Sequence, residues 1–124
     1  MRSVDPAAPC TQCSCRNCTS KLDLCFNGNP AGANGDLAAN GTPKKVLCAN
    51  LVNCGHRTGC RGTDCYGTGF LYLIPGPCRA EVEAATESSS AADVLNRQNN
   101  LTYASGRANA VGDCADNSCA ASCN

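Results

Sequence analysis

Thirteen cysteines in a chain of 124 residues limit the fold more than any other feature. Cysteine at about a tenth of a short chain is the density of a disulfide scaffold. Large apolar side chains are scarce: Leu, Ile, Val and Phe together number 18, and there is no Trp. At roughly 25 cal/mol per Å² of buried apolar surface, burial alone should not offset the entropy of ordering such a chain. Each disulfide can add ~2–4 kcal/mol, so about six of them are expected to stabilise the fold.

The odd number of cysteines means that at least one is unpaired within the chain or bonded to another molecule. We expect this to be Cys10, near the start, or Cys123, next to the C-terminus. The disulfide candidates are all thirteen: Cys10, Cys13, Cys15, Cys18, Cys25, Cys48, Cys54, Cys60, Cys65, Cys78, Cys114, Cys119 and Cys123. Twelve of them can pair in too many ways for the sequence to give the connectivity.

So many disulfides persist only in an oxidising compartment, which predicts a secreted, cell-surface or periplasmic protein. The ten basic and ten acidic residues are scattered, so no basic surface for nucleic acid is expected. The longest apolar run, 69–74, is too short to span a bilayer. Three N-x-[ST] sequons, at Asn17, Asn40 and Asn100, suit a eukaryotic secretory route. An Asn-rich chain produces such triplets by chance, so we do not expect glycosylation.

The spacing of apolar residues and of turn residues predicts a small, mainly α protein with short helices and long irregular loops. Residues 1–9 are expected to be a flexible lead and residues 10–124 a single domain. A helix from about 10 to 25 should end at Asn27-Gly28-Asn29-Pro30. A second should have Thr42 as N-cap, Pro43 as first residue and Gly55 just beyond its end. Further helices are predicted over about 79–87, 91–97 and 104–111, and a short extended segment over 70–74.

The N-terminal run Cys10-Thr-Gln-Cys13-Ser-Cys15-Arg-Asn-Cys18 could hold zinc or an iron–sulfur cluster, because both use four thiolates. Its spacing fits neither common ferredoxin pattern, and zinc knuckles usually come from two separated segments. Its two C-x-x-C units could also be redox-active, but no strand precedes them as in a thioredoxin-like unit. We therefore expect disulfides here and no cofactor, with a zinc or iron–sulfur module as the alternative.

No catalytic residues are predicted. His56 is the only histidine and is expected to be solvated in a Gly-rich loop, although its neighbouring cysteines invite a metal interpretation. Glu81, Glu83, Glu87 and Asp93 are the one acidic cluster. Helical spacing places Glu83 and Glu87 on one face, which we expect to be exposed to solvent. Neither a nucleophile elbow nor a phosphate-binding glycine loop is present.

The stretch 51–67, L-V-N-C-G-H-R-T-G-C-R-G-T-D-C-Y-G, followed by 76–85, G-P-C-R-A-E-V-E-A-A, resembles a type of cysteine-rich secreted protein of myxobacteria. Those uncharacterised proteins share an R-T-G-C…C-Y-C-G…G-P-C-[KR]-x-E run, a helical stretch and a closing cysteine cluster. The resemblance covers about residues 48–123. Their second cysteine after the Tyr is Gly67 here, which changes the bridge pattern and could itself leave a cysteine unpaired. The resemblance implies an exported, bacterial, disulfide-rich protein and carries over no activity and no site.

These features predict a non-enzymatic exported subunit with a structural or binding role, docked on a partner protein or assembled with copies of itself. The metal or cluster module on the N-terminal cysteines, for electron transfer or metal sequestration, is one alternative. A secreted inhibitor or effector is another, because disulfides resist proteolysis and Pro75-Gly76-Pro77, between Ile74 and Cys78, could form a rigid exposed loop.

Overall fold

The structure, a computed structural model, describes residues 9–32 and 41–119. Its helices are α1 Pro9–Asn17, α2 Thr19–Phe26, α3 Lys44–Thr58, α4 Arg79–Thr86, α5 Ala91–Arg97 and α6 Ala104–Ser118. Two short strands, β1 Gly67–Thr68 and β2 Ile74–Pro75, pair antiparallel, and 3₁₀ turns cover Gly62–Cys65 and Phe70–Tyr72. The predicted class, a small disulfide-rich protein that is mainly α, is confirmed. Of the predicted lead, Pro9 belongs to α1 and residues 1–8 lie outside the described residues.

The single helix predicted over about 10–25 is wrong, because the chain bends between α1 and α2 at Cys18. The backbone of Cys18 has φ −119° and ψ 26°, outside the helical region. The bend directs Cys18, which is 1% exposed, into a disulfide with Cys114 on α6. The predicted end of the segment is confirmed, since α2 stops at Phe26, just before the Asn-Gly-Asn-Pro sequence.

Helix α3 is longer at its C-terminal end than the sequence predicted. Pro43, and not Thr42, is the N-cap, and Lys44 is the first helical residue. The helix passes through Gly55 and ends at Thr58, because the residue that takes the left-handed conformation is Gly59, with φ 74°. The amide of Gly59 donates to the carbonyl of Gly55 at 2.9 Å. The extra turn makes His56 a helical residue and not a loop residue.

Five disulfides join the described cysteines: Cys13–Cys119, Cys18–Cys114, Cys25–Cys48, Cys54–Cys78 and Cys60–Cys65. Cys10 is also disulfide-bonded, so the expectation that it is unpaired is wrong. Among the described residues the free thiol belongs to Cys15, which is exposed on α1. The other candidate for the unpaired cysteine, Cys123, lies outside the described residues.

The core consists of two apolar clusters. The first joins α2, α3, α4 and α6, and its buried members are Cys25, Leu47, Cys48, Val52, Ala85, Ala104, Ala108 and Val111. The second joins the end of α3, the 60–66 loop, α4 and α5, and its buried members are Cys54, Cys65, Tyr66, Cys78, Val82 and Val94. Half-cystines supply a large share of both clusters, as expected for a chain with so few large apolar side chains.

Helix α6 runs to Ser118, beyond the predicted 104–111, and two of its glycines have opposite surroundings. A Cβ at Gly106 would lie 1.9 Å from the carbonyl oxygen of Asn100, whereas a Cβ at Gly112 would meet no atom within 4 Å. We expect Gly106→Ala to destabilise the protein by about 2 kcal/mol, because the backbone must move. We expect Gly112→Ala to stabilise it by about 0.5–1 kcal/mol, because Ala favours the helix interior. Guanidinium unfolding of both variants checks this pair, and equal effects would contradict it.

Candidate functional site

The N-terminal cysteine run does not form the four-thiolate site of the alternative interpretation. Cys10, Cys13 and Cys18 are disulfide-bonded, and a bonded sulfur is not a thiolate ligand. Only Cys15 in this run has a free thiol. The two C-x-x-C units are likewise not internal redox pairs, because Cys13 and Cys18 each bond to a cysteine at or just after α6. The run therefore fastens α1 and the α1–α2 bend to the C-terminal helix.

A second group of sulfur atoms lies where α3 ends and α4 begins. The Sγ atoms of Cys60, Cys65 and Cys78 lie within 4.8 Å of one another, and those of Cys60 and Cys78 are 3.5 Å apart. All three belong to disulfides, Cys60–Cys65 and Cys54–Cys78, so in this oxidised state the group is a packing contact between two bridges. The two bridges fix the chain on both sides of the segment 66–77.

That segment carries the most exposed apolar surface of the described residues, which we call the apolar tip, residues 70–74. Phe70 is 80% exposed, Leu71 66%, Leu73 71% and Ile74 60%. The predicted extended segment here is wrong. Phe70–Tyr72 form a 3₁₀ turn in which Leu71 and Tyr72 have positive φ, 52° and 57°. Bulky side chains rarely take this conformation, so the tip is a strained turn between β1 and β2.

Partly buried contacts beneath the apolar tip hold it in place. A guanidinium N–H of Arg79 donates to the carbonyl of Tyr72 at 2.7 Å. The Arg79 guanidinium also lies 4.3 Å from the centre of the Tyr66 ring, a cation–π contact. Tyr66 is 2% exposed and its ring packs against that of Tyr72 with centroids 6.0 Å apart. The base of the tip is therefore packed and hydrogen-bonded, while its apolar side chains project from the surface.

In the loop Pro75-Gly76-Pro77, expected to be the exposed element of an inhibitor, both prolines are exposed, while Gly76 is packed on the 64–67 backbone. The amide of Gly76 donates to the carbonyl of Tyr66 at 2.9 Å, and Pro75 pairs with Gly67 across the two strands. A Cβ at Gly76 would lie 2.3 Å from the carbonyl oxygen of Asp64, so only glycine fits there. The exposed surface of this hairpin thus includes the apolar tip and both prolines. The sequence signal for the apolar tip was the run of large apolar residues 70–74 between Gly69 and Pro75.

His56 lies in the last turn of α3 and makes no hydrogen bond among the described residues. Burial and, to a smaller extent, the positive charge of Arg61 lower the pKa of its imidazole from the ordinary 6.5. The ring is therefore mainly neutral at pH 7. Arg61 in turn contacts the carboxylate of Asp116 on α6, and both of these side chains are partly exposed.

The four acidic residues of the predicted cluster do not act together. Glu87 is the C-cap of α4, and its carboxylate lies 2.7 Å from the buried ammonium of Lys44. Asp93 accepts a hydrogen bond from the Ser88 hydroxyl at 2.7 Å. Glu83 lies 3.7 Å from Arg79. The expectation that Glu83 and Glu87 share an exposed face is wrong, because Glu87 turns into the protein, and Glu81 joins neither of them.

Two of the three sequon asparagines are described. Asn17 is exposed at the end of α1, and its side-chain amide donates to the Cys13 carbonyl at 3.1 Å. Asn100 is exposed in the α5–α6 loop, where its side chain accepts from the amide of Thr102 at 3.0 Å. Asn40 lies outside the described residues. That none is glycosylated stays a prediction.

No protein-family model, curated protein or solved structure matches this chain. None of the described helices is both long and apolar enough to cross a membrane. The disulfides are the kind of cross-linking found in exported proteins. Among the described residues, the apolar tip is the surface that differs most from an ordinary solvated surface.

Proposed function

We propose that this protein is an exported, non-enzymatic binding subunit that docks on a partner protein by inserting the apolar tip, residues 70–74, into an apolar groove of that partner. The observation that carries this proposal is the exposure of Phe70, Leu71, Leu73 and Ile74 on one short turn. Contiguous exposed apolar side chains are rare in monomeric proteins and typically mark interaction surfaces.

The rigidity of the tip supports docking. A turn that is already ordered loses little conformational entropy on binding, which favours affinity. Disulfides on both sides and the Arg79 contacts order this turn before any partner arrives. The positive φ of Leu71 and Tyr72 is the kind of backbone strain that is usually found at functional sites.

The composition around the tip favours a protein partner over a lipid surface or a second copy. Residues 65–78 contain no charged side chain, whereas peripheral membrane-binding segments usually add basic residues that attract anionic lipids. The cores of protein interfaces are depleted in charge and rich in aromatic residues. A stable homodimer typically buries ~800 Å² on each partner, and two short tips meeting each other offer less than this.

The absence of enzymatic activity is part of the proposal. The single histidine has no hydrogen-bonded carboxylate or hydroxyl among the described residues, so the chain offers no histidine-based relay there. The carboxylates of Glu83, Glu87 and Asp93 are each engaged with a separate partner. A second candidate, a secreted inhibitor, would use the same exposed turn against a protease, and it is one outcome of the test below.

The test is site-specific photo-crosslinking on the intact, oxidised protein in its native producing cells. A photoreactive residue at position 71 should cross-link to one protein, and the same residue at position 95, on α5, should not. The captured protein, once purified, should bind the wild-type chain, and the double substitution Phe70→Ser and Leu73→Ser should weaken that binding at least tenfold. Leu95→Ser, at another exposed leucine, is the matched control and should leave the affinity unchanged.

The other outcomes are equally informative. Cross-links to the chain itself would replace docking with self-association, and cross-links to lipid would replace the protein partner with a membrane. A protease as the captured partner would favour the inhibitor. Since both mutated side chains are largely exposed, stability should change by less than about 0.5 kcal/mol, which separates lost binding from lost folding.

A further inference from the structure

Two disulfides touch each other where α3 ends and α4 begins, and their four residues form what we call the sulfur cluster: Cys54, Cys60, Cys65 and Cys78. The Sγ atoms of Cys60 and Cys78, which belong to different bridges, are 3.5 Å apart. At this distance two reacting atoms are already close enough for attack. Thiol–disulfide exchange requires a thiolate in contact with a disulfide sulfur. Opening one of the two bridges would therefore place a thiolate directly beside the other.

The two bridges of the sulfur cluster differ in their access to solvent. Cys60 is partly exposed on the loop that follows α3, whereas Cys65 is buried. Cys54 and Cys78 are 1% and 0% exposed, so an external thiol cannot reach either sulfur of their bridge in the folded protein. An external reductant therefore attacks Cys60, and Cys65 is the sulfur that leaves.

The loop that carries Cys60 has room to move once its bridge opens. Gly59 and Gly62 on either side of it have positive φ, and a Cβ at either glycine would meet no atom within 4 Å. The Cys60–Cys65 bridge has a sequence separation of only 5 and joins no two α-helices. Opening it thus leaves the helices and the other described bridges in place, while the Cys60 side chain becomes free to turn.

A hydroxyl lies against the two sulfurs that are in contact. The Oγ1 atom of Thr58 is 3.2 Å from Sγ of Cys60 and 3.5 Å from Sγ of Cys78. In the oxidised protein the same hydroxyl donates to the carbonyl of Cys54 at 2.8 Å. A hydroxyl rotates toward its best acceptor, and a thiolate at Cys60 is a charged acceptor, unlike a disulfide sulfur. The sulfur cluster thus has a hydrogen-bond donor where the negative charge would form.

We propose that the sulfur cluster is a thiol–disulfide exchange site, where an external dithiol opens the accessible bridge and the freed Cys60 then displaces Cys54 from Cys78. In the first step the dithiol reduces Cys60–Cys65 to two thiols and is itself oxidised to a disulfide. Dithiols of this kind occur in the oxidoreductases that act on exported proteins. In the second step Cys60 loses its proton to water and its thiolate attacks Sγ of Cys78. The Cys60–Cys78 bond forms, the Cys54–Cys78 bond breaks, and the electron pair stays on Sγ of Cys54, which takes up a proton.

The exchange changes which end of the segment 66–77 is held by a bridge. In the oxidised protein Cys65 and Cys78, on either side of this segment, are both bridged. After the exchange Cys78 is still bridged, now to Cys60, whereas Cys65 is a free thiol. The start of the segment then has no covalent anchor. The exchange itself does not depend on whether the apolar tip docks on a partner.

The test is partial reduction of the intact, oxidised protein with dithiothreitol, after its free thiol has been blocked with iodoacetamide. New thiols are trapped with N-ethylmaleimide, and mass spectrometry of peptides identifies each bridge. We expect a species with a Cys60–Cys78 bridge and with trapped Cys54 and Cys65, at about a tenth or more of the partially reduced protein. The Cys25–Cys48 bridge, which is also fully buried but lies outside the sulfur cluster, is the internal control and should stay oxidised in that species.

Three variants make the exchange falsifiable. Cys65→Ser leaves Cys60 as a free thiol beside Cys78, so the Cys60–Cys78 bridge should form without any reductant. Cys60→Ala with Cys65→Ala removes the attacking thiol, and reduction of Cys54–Cys78 should then be at least about tenfold slower. Thr58→Val removes the donor and should slow formation of the new bridge about threefold. An unchanged rate in Thr58→Val would overturn the role of the hydroxyl. Equally fast reduction of Cys54–Cys78 in the double variant, or Cys54–Cys78 as the sole bridge to Cys78 in Cys65→Ser, would overturn the exchange site.

Discussion

Lys44→Met is expected to destabilise the protein by about 3–5 kcal/mol, because it leaves the nearly buried carboxylate of Glu87 without its partner charge. Lys44 is 0% exposed, and its ammonium lies 2.7 Å from Glu87, whose side chain is 9% exposed. The same ammonium donates to the carbonyl of Ala31 at 2.7 Å. One charged group thus joins the start of α3, the end of α4 and the loop after α2. Guanidinium unfolding at pH 7 measures the effect.

The double substitution Lys44→Met and Glu87→Met separates two free energies: the net contribution of the ion pair and the cost of burying one charge without the opposite charge. Removing both charges should recover most of the lost stability, because a buried ion pair contributes little net free energy over apolar replacements of similar volume. Asp116→Asn is the control at an exposed pair and should change stability by less than about 1 kcal/mol. A double variant as unstable as Lys44→Met would mean that packing, and not charge, dominates at this site.

The sequence predicted elements where a local signal sufficed. Helix α5 has the bounds predicted for it, and α4 was predicted to within one residue. Local signals failed where two residues competed for one role. Gly55 and Gly59 both suit a helix end, and only packing decides that α3 continues to the second. At Cys18 the spacing of apolar residues still predicted a continuous helix. The chain bends there instead and forms the disulfide with Cys114.

The site was less predictable than the fold, because it depends on contacts between distant residues. The apolar run 70–74 was visible in the sequence, but periodicity alone could not tell a buried strand from an exposed turn. Nothing in the sequence relates Lys44 to Glu87, whose side chains form a buried ion pair. The identity of the free thiol follows from the pairing, which sequence cannot give, so Cys15 could not be singled out.

The second large effect concerns the two disulfides that join the α1–α2 region to α6. Cys13–Cys119 spans 106 residues and Cys18–Cys114 spans 96. A single bridge closing a loop of about 100 residues would contribute ~4.7 kcal/mol in the chain-entropy description. These two bridges are nested, however. While one of them is intact, the other closes only a short loop, which consists of residues 13–18, residues 114–119 and the intact bridge. We expect Cys13→Ala with Cys119→Ala to cost about 3 kcal/mol, the value for a loop of some fifteen residues.

Cys25–Cys48 provides the comparison, because it spans only 23 residues and none of the other described bridges shortens the path between its two cysteines. Its removal, as Cys25→Ala with Cys48→Ala, should cost at least about 3 kcal/mol, with an added loss of packing because both sulfurs are fully buried. The shorter bridge should thus contribute as much as the longer one. Guanidinium unfolding of the oxidised variants, with the remaining bridges verified by mass, tests this order. A loss near 5 kcal/mol for the Cys13–Cys119 variant would instead mean that the neighbouring bridge does not hold α1 against α6, and that the two bridges act independently.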